Sequence, residues 1–353
     1  MIRLPRGCRL LIPWHKLSAS AARTRPALAS RRPTRHVPGV SSALRLLVLL
    51  ALAPLLVSGE EESAATFEAR PVENMLEAQI ELHRRGFSCG SIDGVRGVQT
   101  ANALQAFQRS HGLAESGDLD AATREHLLLT DEALTAHTLT AEQLGALRAI
   151  PDTWLGKSEL DRMGHATALE AVAERYRANP KLVRALNPDV NWDELLPGTV
   201  LQVPNVSLVL LEVRAALIHI RLEERELTIT DPEGRLVAHM PVSIAKRVEK
   251  RPVGKLKIKV IIPDPNYTVD PAVFPESDEM QQLGRKLIIA PGPNNPVGVA
   301  WIGLDRPGYG IHGTPDPEKV GRTESHGCFR LANWDARTLL ALVEEGMPVV
   351  VEP

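Results

Sequence analysis

Two histidines, a serine and the last cysteine of the chain fall within seventeen residues: His312, Ser325, His326 and Cys328. A glycine follows each histidine, Gly313 and Gly327, and Arg330 lies two residues beyond the cysteine. Three chemistries compete for such a stretch. A zinc site would draw on His312, His326 and Cys328, because zinc takes three or four His, Cys or acidic ligands at short paired spacings. The other histidines nearby in sequence, His219 and His239, sit in strand-like runs and offer no such pair, so no metal is expected. An ordinary turn would explain the glycines but not three reactive side chains in one loop, and loops on a rigid scaffold are where catalysis concentrates. The third chemistry is a cysteine nucleophile, which reacts as the thiolate and needs a base or a positive neighbour.

A base must come within hydrogen-bond reach of the sulfur while a third group orients it. His326 shares the tight loop of Cys328, whereas His312 lies sixteen residues back, at the end of what reads as a neighbouring strand. A residue on an adjacent strand meets the geometry more freely, which favours His312. Gly327 is expected to allow a sharp turn that leaves its amide, with that of Cys328, facing a developing oxyanion. Arg330 is a candidate partner for a substrate carboxylate or a brace for the loop.

The elements that must position these residues read as strands. Runs at 216–221, 226–230, 236–244, 255–262, 297–302 and 348–351 are rich in β-formers, and turn signals such as Asp231-Pro232-Glu233-Gly234 separate them. One late helix stands out, with Asn333 as its expected cap, Asp335 in its first turn, Gly346 as its stop and Leu339, Leu340 and Val343 on its buried face. Residues 263–290, rich in Pro, Asp and Glu, read as a long excursion between strands, and long ordered loops often serve as lids.

His312-Gly313-Thr314, followed by Ser325-His326-Gly327-Cys328-Phe329-Arg330, resembles the signature of the L,D-transpeptidase catalytic domain family. Arg251-Pro252-Val253-Gly254, the run from Pro291 to Gly298 and Tyr309-Gly310-Ile311-His312 extend the resemblance over residues 208–352. The resemblance implies a mainly-β, sandwich-like domain with a C-terminal helix. It implies Cys328 as nucleophile, His312 as general base oriented by the backbone of Gly313, support from Ser325 and His326, and Arg330 in the substrate groove; Asn295 reads as a structural turn. It further implies attack on the third-residue carbonyl of a peptidoglycan tetrapeptide stem, release of D-alanine, and transfer of the acyl group to an amine of another stem as a 3→3 cross-link. No cofactor is implied, and acylation by carbapenems is. Water or a lipoprotein lysine as acceptor stays open, which would give a carboxypeptidase, an endopeptidase or an attachment enzyme. A non-catalytic peptidoglycan-binding protein is the rival from another class.

The front of the chain reads as smaller units, making the whole a multidomain α+β protein. In residues 70–130, three helices are expected, over 72–85, from a cap at Thr100, and over 120–128. Gly94-Val95-Arg96-Gly97, Thr100, Ala103, Phe107-Gln108, His111-Gly112-Leu113, Gly117 and Thr123 resemble the three-helix peptidoglycan-binding domain. Residues 131–158 read as a helical linker. Residues 159–205 hold two short helices and a strand, and Asn187-Pro188 with the run from Leu196 to Pro204 resembles the second half of a LysM domain, a β-α-α-β glycan binder. Met163-Gly164-His165-Ala166 departs from that family's usual Gly-Asp-Thr.

Residues 1–59 contain ten Lys or Arg and no Asp or Glu, so the rest carries 31 basic against 43 acidic residues. Such an acidic body argues against nucleic acid as a partner; the resemblances imply peptidoglycan, both stem peptides and glycan strands. The apolar run 46–57 follows the basic start and reads as a secretory signal or an anchor, with Val57-Ser58-Gly59 as a small-residue cleavage site. Export to the periplasm or cell envelope is expected, with attachment to the inner membrane if the signal is kept. Cys89 and Cys328 would then stand in an oxidising compartment, and a nucleophilic Cys328 must stay unbridged. Oligomeric state is not legible.

Overall fold

The computed structural model describes residues 67–206, 213–245, 247–322 and 327–353, which fall within one unit. The basic leader, its apolar run 46–57, Ser325 and His326 lie outside the described residues. Among the described residues no helix is long and apolar enough to cross a membrane.

The first helices are α1 (Met75–Arg84), α2 (Val98–Ser110) and α3 (Ala121–His126), with β1 (Arg70–Pro71) and β2 (Leu128–Leu129) paired antiparallel at their ends. Asn74 and Asp120 cap α1 and α3 by accepting from the amides of Glu77 and Thr123. Leu82, Leu104, Phe107 and Leu127 are fully buried between the helices. Helix α2 begins at Val98 after Gly97, so Thr100 is not its cap. Its Oγ1 instead accepts from the buried Gln79 Nε2 at 3.1 Å, a tertiary bond that outcompetes the local one.

The next unit begins earlier than its composition suggested. Strand β3 (Leu134–Thr138) lies inside the stretch expected to be a helical linker. After it come α4 (Ala141–Gly145), α5 (Trp154–Ser158), α6 (Ala168–Arg175), α7 (Pro180–Leu186) and β4 (Val200–Pro204). Strand β3 pairs antiparallel with β4 along its length, from Leu134 opposite Pro204 to Thr138 opposite Val200. A β-α-α-β order therefore exists, with its first strand before residue 159 and two five-residue helices inserted after it. The polar run Leu134-Thr135-Ala136-His137-Thr138 becomes a strand because its partner, far along the chain, offers a ladder and a shared core around Leu139, Val172, Val183, Leu201 and Val203.

Beyond residue 213 come β5 (Leu217–Arg221), β6 (Glu226–Thr230), β7 (Leu236–Pro241), β8 (Gly254–Pro263), β9 (Tyr267–Val269), α8 (Asp278–Leu283) and β10 (Leu287–Ile289). They are followed by β11 (Ala300–Leu304), β12 (Gly310–His312), β13 (Phe329–Arg330), α9 (Asn333–Leu342) and β14 (Pro348–Glu352). Eight strands form one sheet in the order β13-β12-β11-β8-β14-β5-β6-β7. The expected pair of packed sheets is replaced by one sheet that curls on itself. The cause is the length of β8. Its first residues pair with β14, Leu256 opposite Val349, and its last with β11, Ile262 opposite Trp301. The two ends of the order then meet: Ser243, just past β7, exchanges backbone hydrogen bonds with Arg330 of β13 at 2.9 and 3.0 Å. Ile218, Ile229, Ile302, Ile311, Phe329 and Val349 pack inside this curl.

The excursion at 263–290 is folded, not structureless. Strands β9 and β10 pair, and Val269, Met280, Leu287 and Ile289 share a small core with Met163. Its Glu279 accepts from the amides of Trp154 and Leu155 at 2.9 and 2.8 Å, offering a carboxylate to the positive start of α5.

Candidate active site

Strand pairing decides which side chains can meet. Strands β12 and β13 run parallel, with Ile311 opposite Phe329 and His312 opposite Arg330. Successive residues face opposite sides of a sheet. Ile311 and Phe329 go into the core, so His312, Arg330 and, one residue before β13, Cys328 share the other face. Residues sixteen apart in sequence are thereby brought to one side of one strand pair.

His312 is held by a stacked ring and a backbone carbonyl. It is only 7% exposed. Trp301, its partner on β11, stacks on the ring with centroids 5.8 Å apart and planes at 23°. A side chain at Gly310 would meet that indole, its Cβ 2.7 Å from Trp301 Cζ2, so glycine makes the stack possible. The imidazole Nδ1 lies 2.6 Å from Gly313 O. A carbonyl only accepts, so Nδ1 carries the hydrogen and Nε2 keeps its lone pair. Burial pushes the imidazole down to about 4, the Gly313 bond opposes this, and Arg330 adds to it. At neutral pH the ring is therefore an uncharged proton acceptor with a fixed tautomer.

Cys328 is partly exposed, and its thiol donates to Gly308 O at 3.7 Å. Arg330 is half-buried; burial lowers its guanidinium, while attraction to Asp316 and Cys328 raises it. It thus supplies the positive neighbour that a thiolate wants. Among the described residues, the nearest atom to a Cβ built on Gly327 is Lys250 Cδ, at 3.9 Å. The chain bends at Gly327 and Cys328 just before the strand pairing of Phe329 begins. Cys89 stays apart: it is 2% exposed in the helical core, and burial pushes its thiol up. The two cysteines are not bridged. Among the described residues no three His, Cys, Asp or Glu side chains are grouped to hold a metal ion.

Trp301, Gly308 and Glu174 escaped the sequence reading, and Asn333 was read there only as a helix cap. Asn333, expected as a helix cap, is the first residue of α9 and is fully buried. Its Oδ1 accepts from Val299 N at 3.3 Å, and its Nδ2 donates to Pro293 O at 3.0 Å and to Glu174 Oε2 at 2.8 Å. A Cβ on Gly298 or Gly313 would overlap that Oδ1, which explains both glycines. Asn295 is the structural turn it was expected to be, donating to Ala290 O at 2.8 Å and accepting from Val297 N at 3.0 Å. The connection from β12 towards Cys328 is tied down by Ser243, whose Oγ accepts from Gly321 N at 2.9 Å, and by Gln99 of α2, which donates to Val320 O at 2.6 Å.

Residues 215–351 match the family model YkuD, the L,D-transpeptidase catalytic domain, and residues 71–127 match that of a peptidoglycan binding domain. The chain is 25% identical over 185 residues to the provisionally named L,D-transpeptidase YkuD of Bacillus licheniformis, covering 52% of this chain and 93% of that one. It is 29% identical over 191 residues to YbiS of Escherichia coli K12, also provisionally named an L,D-transpeptidase, covering 53% of this chain and 60% of that one. The crystal structure of L,D-transpeptidase 3 from Mycobacterium tuberculosis superposes with a TM-score of 0.31 at 17% identity, over 45% of this chain and 77% of that one.

Proposed function

We propose that this chain, an enzyme whose residues 215–351 are an L,D-transpeptidase catalytic domain and whose residues 71–127 are a peptidoglycan-binding domain, forms 3→3 cross-links between peptidoglycan stems. The observation that carries the reading is the strand register that sets Cys328 and His312 on one face, with Nδ1 of His312 committed to Gly313 O.

In this mechanism His312 Nε2 takes the thiol proton as Cys328 Sγ attacks the carbonyl of the third stem residue. The imidazole is too weak a base to hold a standing ion pair, so transfer accompanies attack. The amides of Gly327 and Cys328 receive the oxyanion, and Arg330 steadies the sulfur or a substrate carboxylate. Collapse breaks the bond to D-alanine, whose amine leaves with the proton from His312, and a thioester remains. An amine of a second stem then attacks, His312 takes its proton, and the thiolate departs and is reprotonated. Ser325 and His326, just before Gly327 and the cysteine in sequence, support the site in this reading.

The reading includes export, supported by the basic leader and the apolar run 46–57. The β-α-α-β unit is read as a LysM-like wall binder, supported by its element order and by the stretch from Leu196 to Pro204. Two binding units in front of a catalytic one raise the local substrate concentration.

The test is mass spectrometry of the chain with purified disaccharide-tetrapeptide, beside Cys328→Ala. A dimer lighter by one D-alanine, absent in the variant, is the expected product. Tripeptide without dimer would replace the cross-linking reading with hydrolysis. No change with an intact thiol would leave a binding protein.

A further inference from the structure

We infer that Glu174, on α6 of the middle unit, is a positioning residue for the base His312. The inference rests on the assignment of Cys328 and His312 as the reacting pair.

His312 serves as a base only while its Nδ1 hydrogen stays on Gly313 O, for that bond fixes the tautomer and the aim of the ring. Gly313 in turn rests against Asn333 Oδ1, with no room for even a methyl group between them. The orientation of the Asn333 amide is therefore the wall behind the base. Three hydrogen bonds set it. Two go to the backbone of the catalytic domain, from Val299 N at 3.3 Å and to Pro293 O at 3.0 Å. The third and shortest goes to the Glu174 carboxylate at 2.8 Å, from 159 residues earlier in the chain. It is also the only one to a charged group, and such bonds are the stronger kind.

Without Glu174, one Nδ2 hydrogen of a fully buried amide loses its acceptor. The incentive to keep Nδ2 on that side falls, and the flipped amide would set N–H groups against Val299 N and the Gly313 backbone. The carboxylate is itself held in place. His165 Nε2 stands 3.5 Å from its other oxygen. Asn294 donates to Glu170 Oε1 at 2.6 Å and to Gly164 O at 2.8 Å, and Met163 N donates to Pro291 O at 2.9 Å, so the 291–298 segment is clamped to the same unit. The middle unit is thus part of the active-site scaffold as well as a wall-binder candidate.

The full chain and its variants are assayed for D-alanine release from disaccharide-tetrapeptide, with Cys328→Ala as the blank. Glu174→Ala is expected to lower kcat about tenfold with KM within about twofold. Glu174→Gln, whose amide oxygen still accepts from Asn333, is expected to restore most of the rate. If Glu174→Ala fails to fold, Glu174→Met keeps the volume without an acceptor and takes its place. An acceptor-free variant with wild-type kcat, a loss confined to KM, or a glutamine no better than the acceptor-free variant overturns the inference. A wild type that matches the Cys328→Ala blank sinks the transpeptidase reading, and this inference with it, whereas failure of the Glu174 series alone leaves that reading intact.

Discussion

His312 and His239 sit in different regions yet are nearly the same local object. Each is buried in the curled sheet, each sets Nδ1 on a backbone carbonyl, Gly313 O at 2.6 Å and Ser88 O at 2.9 Å, and burial pushes each ring down to about 4. The difference lies beyond the second nitrogen. His312 shares a sheet face with Cys328 and Arg330. His239 Nε2 has no hydrogen bond among the described residues and stands 3.4 Å from Glu226 Oε2, at a seam where Ser88 N donates to His239 O and His239 N to Gly86 O. A buried neutral histidine with a depressed pKa is therefore no mark of catalysis by itself. What the lone pair faces decides between a base and a wedge that joins the helical unit to the sheet.

The comparison breaks most visibly by substitution. His312→Gln should lower the rate of Cys328 acylation by roughly 10²–10⁴, the usual worth of a placed general base, and also lower stability by about 1–3 kcal/mol through the lost buried hydrogen bond. His239→Gln should leave that rate within a few-fold and lower stability by about 1–3 kcal/mol, since it disturbs a buried hydrogen bond at the seam. Intact-mass acylation kinetics and thermal melts read the two effects separately. A His239 variant as slow as the His312 variant would collapse the distinction.

Acid should treat the two rings alike. Both have folded values depressed from 6.5 to about 4, and His83 falls to about 3. Groups of this kind stabilise the fold fully above their unfolded pKa, and that stability drains as pH falls from 6.5 through the folded value. Each ring shifted to about 4 accounts for roughly 3 kcal/mol at the end of that window. Asp335 works the other way. Burial pushes its carboxyl from 3.8 up to about 7, against the pull of Arg177 and Ser88, so its contribution is full below 3.8 and drains as pH rises through 7. Denaturant unfolding between pH 4 and 7 should show stability falling towards acid, a shallower fall in either histidine variant, and a steeper one in Asp335→Asn. An unchanged slope in the histidine variants would show that neither ring is buried neutral.

The same contrast between local and distant partners explains what was legible. The proposed pair was legible because cysteine, histidines and glycines crowd one stretch, and the strands because alternation marks them; β6 spans Glu226–Thr230, the run the sequence pattern predicts. The caps were misread for a common reason. Thr100 and Asn333 have the side chains that cap helices, but Gln79 and Glu174 claim them from elsewhere in the fold. Strand β3 was hidden because half of its hydrogen-bonding meaning lies in β4. The curl of the sheet follows from β8 serving two neighbours at once, and no single window of sequence contains that fact.

Two glycines carry the smallest effects and the cleanest geometry. Gly313 and Gly327 each follow a histidine, and sequence alone gives them equal standing. The structure does not. A Cβ on Gly313 would overlap Asn333 Oδ1 and lie 3.1 Å from Val299 N, both parts of a buried, fully bonded wall that cannot give way. Gly313→Ala should therefore cost about 1–3 kcal/mol, as overpacking does, and slow acylation as well by shifting the carbonyl that aims His312. Gly327 lies in a bend, and among the described residues only the flexible end of Lys250 comes within 4 Å of a Cβ there. Gly327→Ala should change stability by less than about 0.5 kcal/mol, in the range of a half-buried substitution that meets no close neighbour among the described residues. Its amide is one of the two assigned to the oxyanion, and an alanine keeps that N–H, so acylation should stay within a few-fold. Paired melts and acylation rates would check both. A Gly327→Ala enzyme as impaired as Gly313→Ala would mean that the second glycine, too, is held by a close neighbour when the substrate is bound.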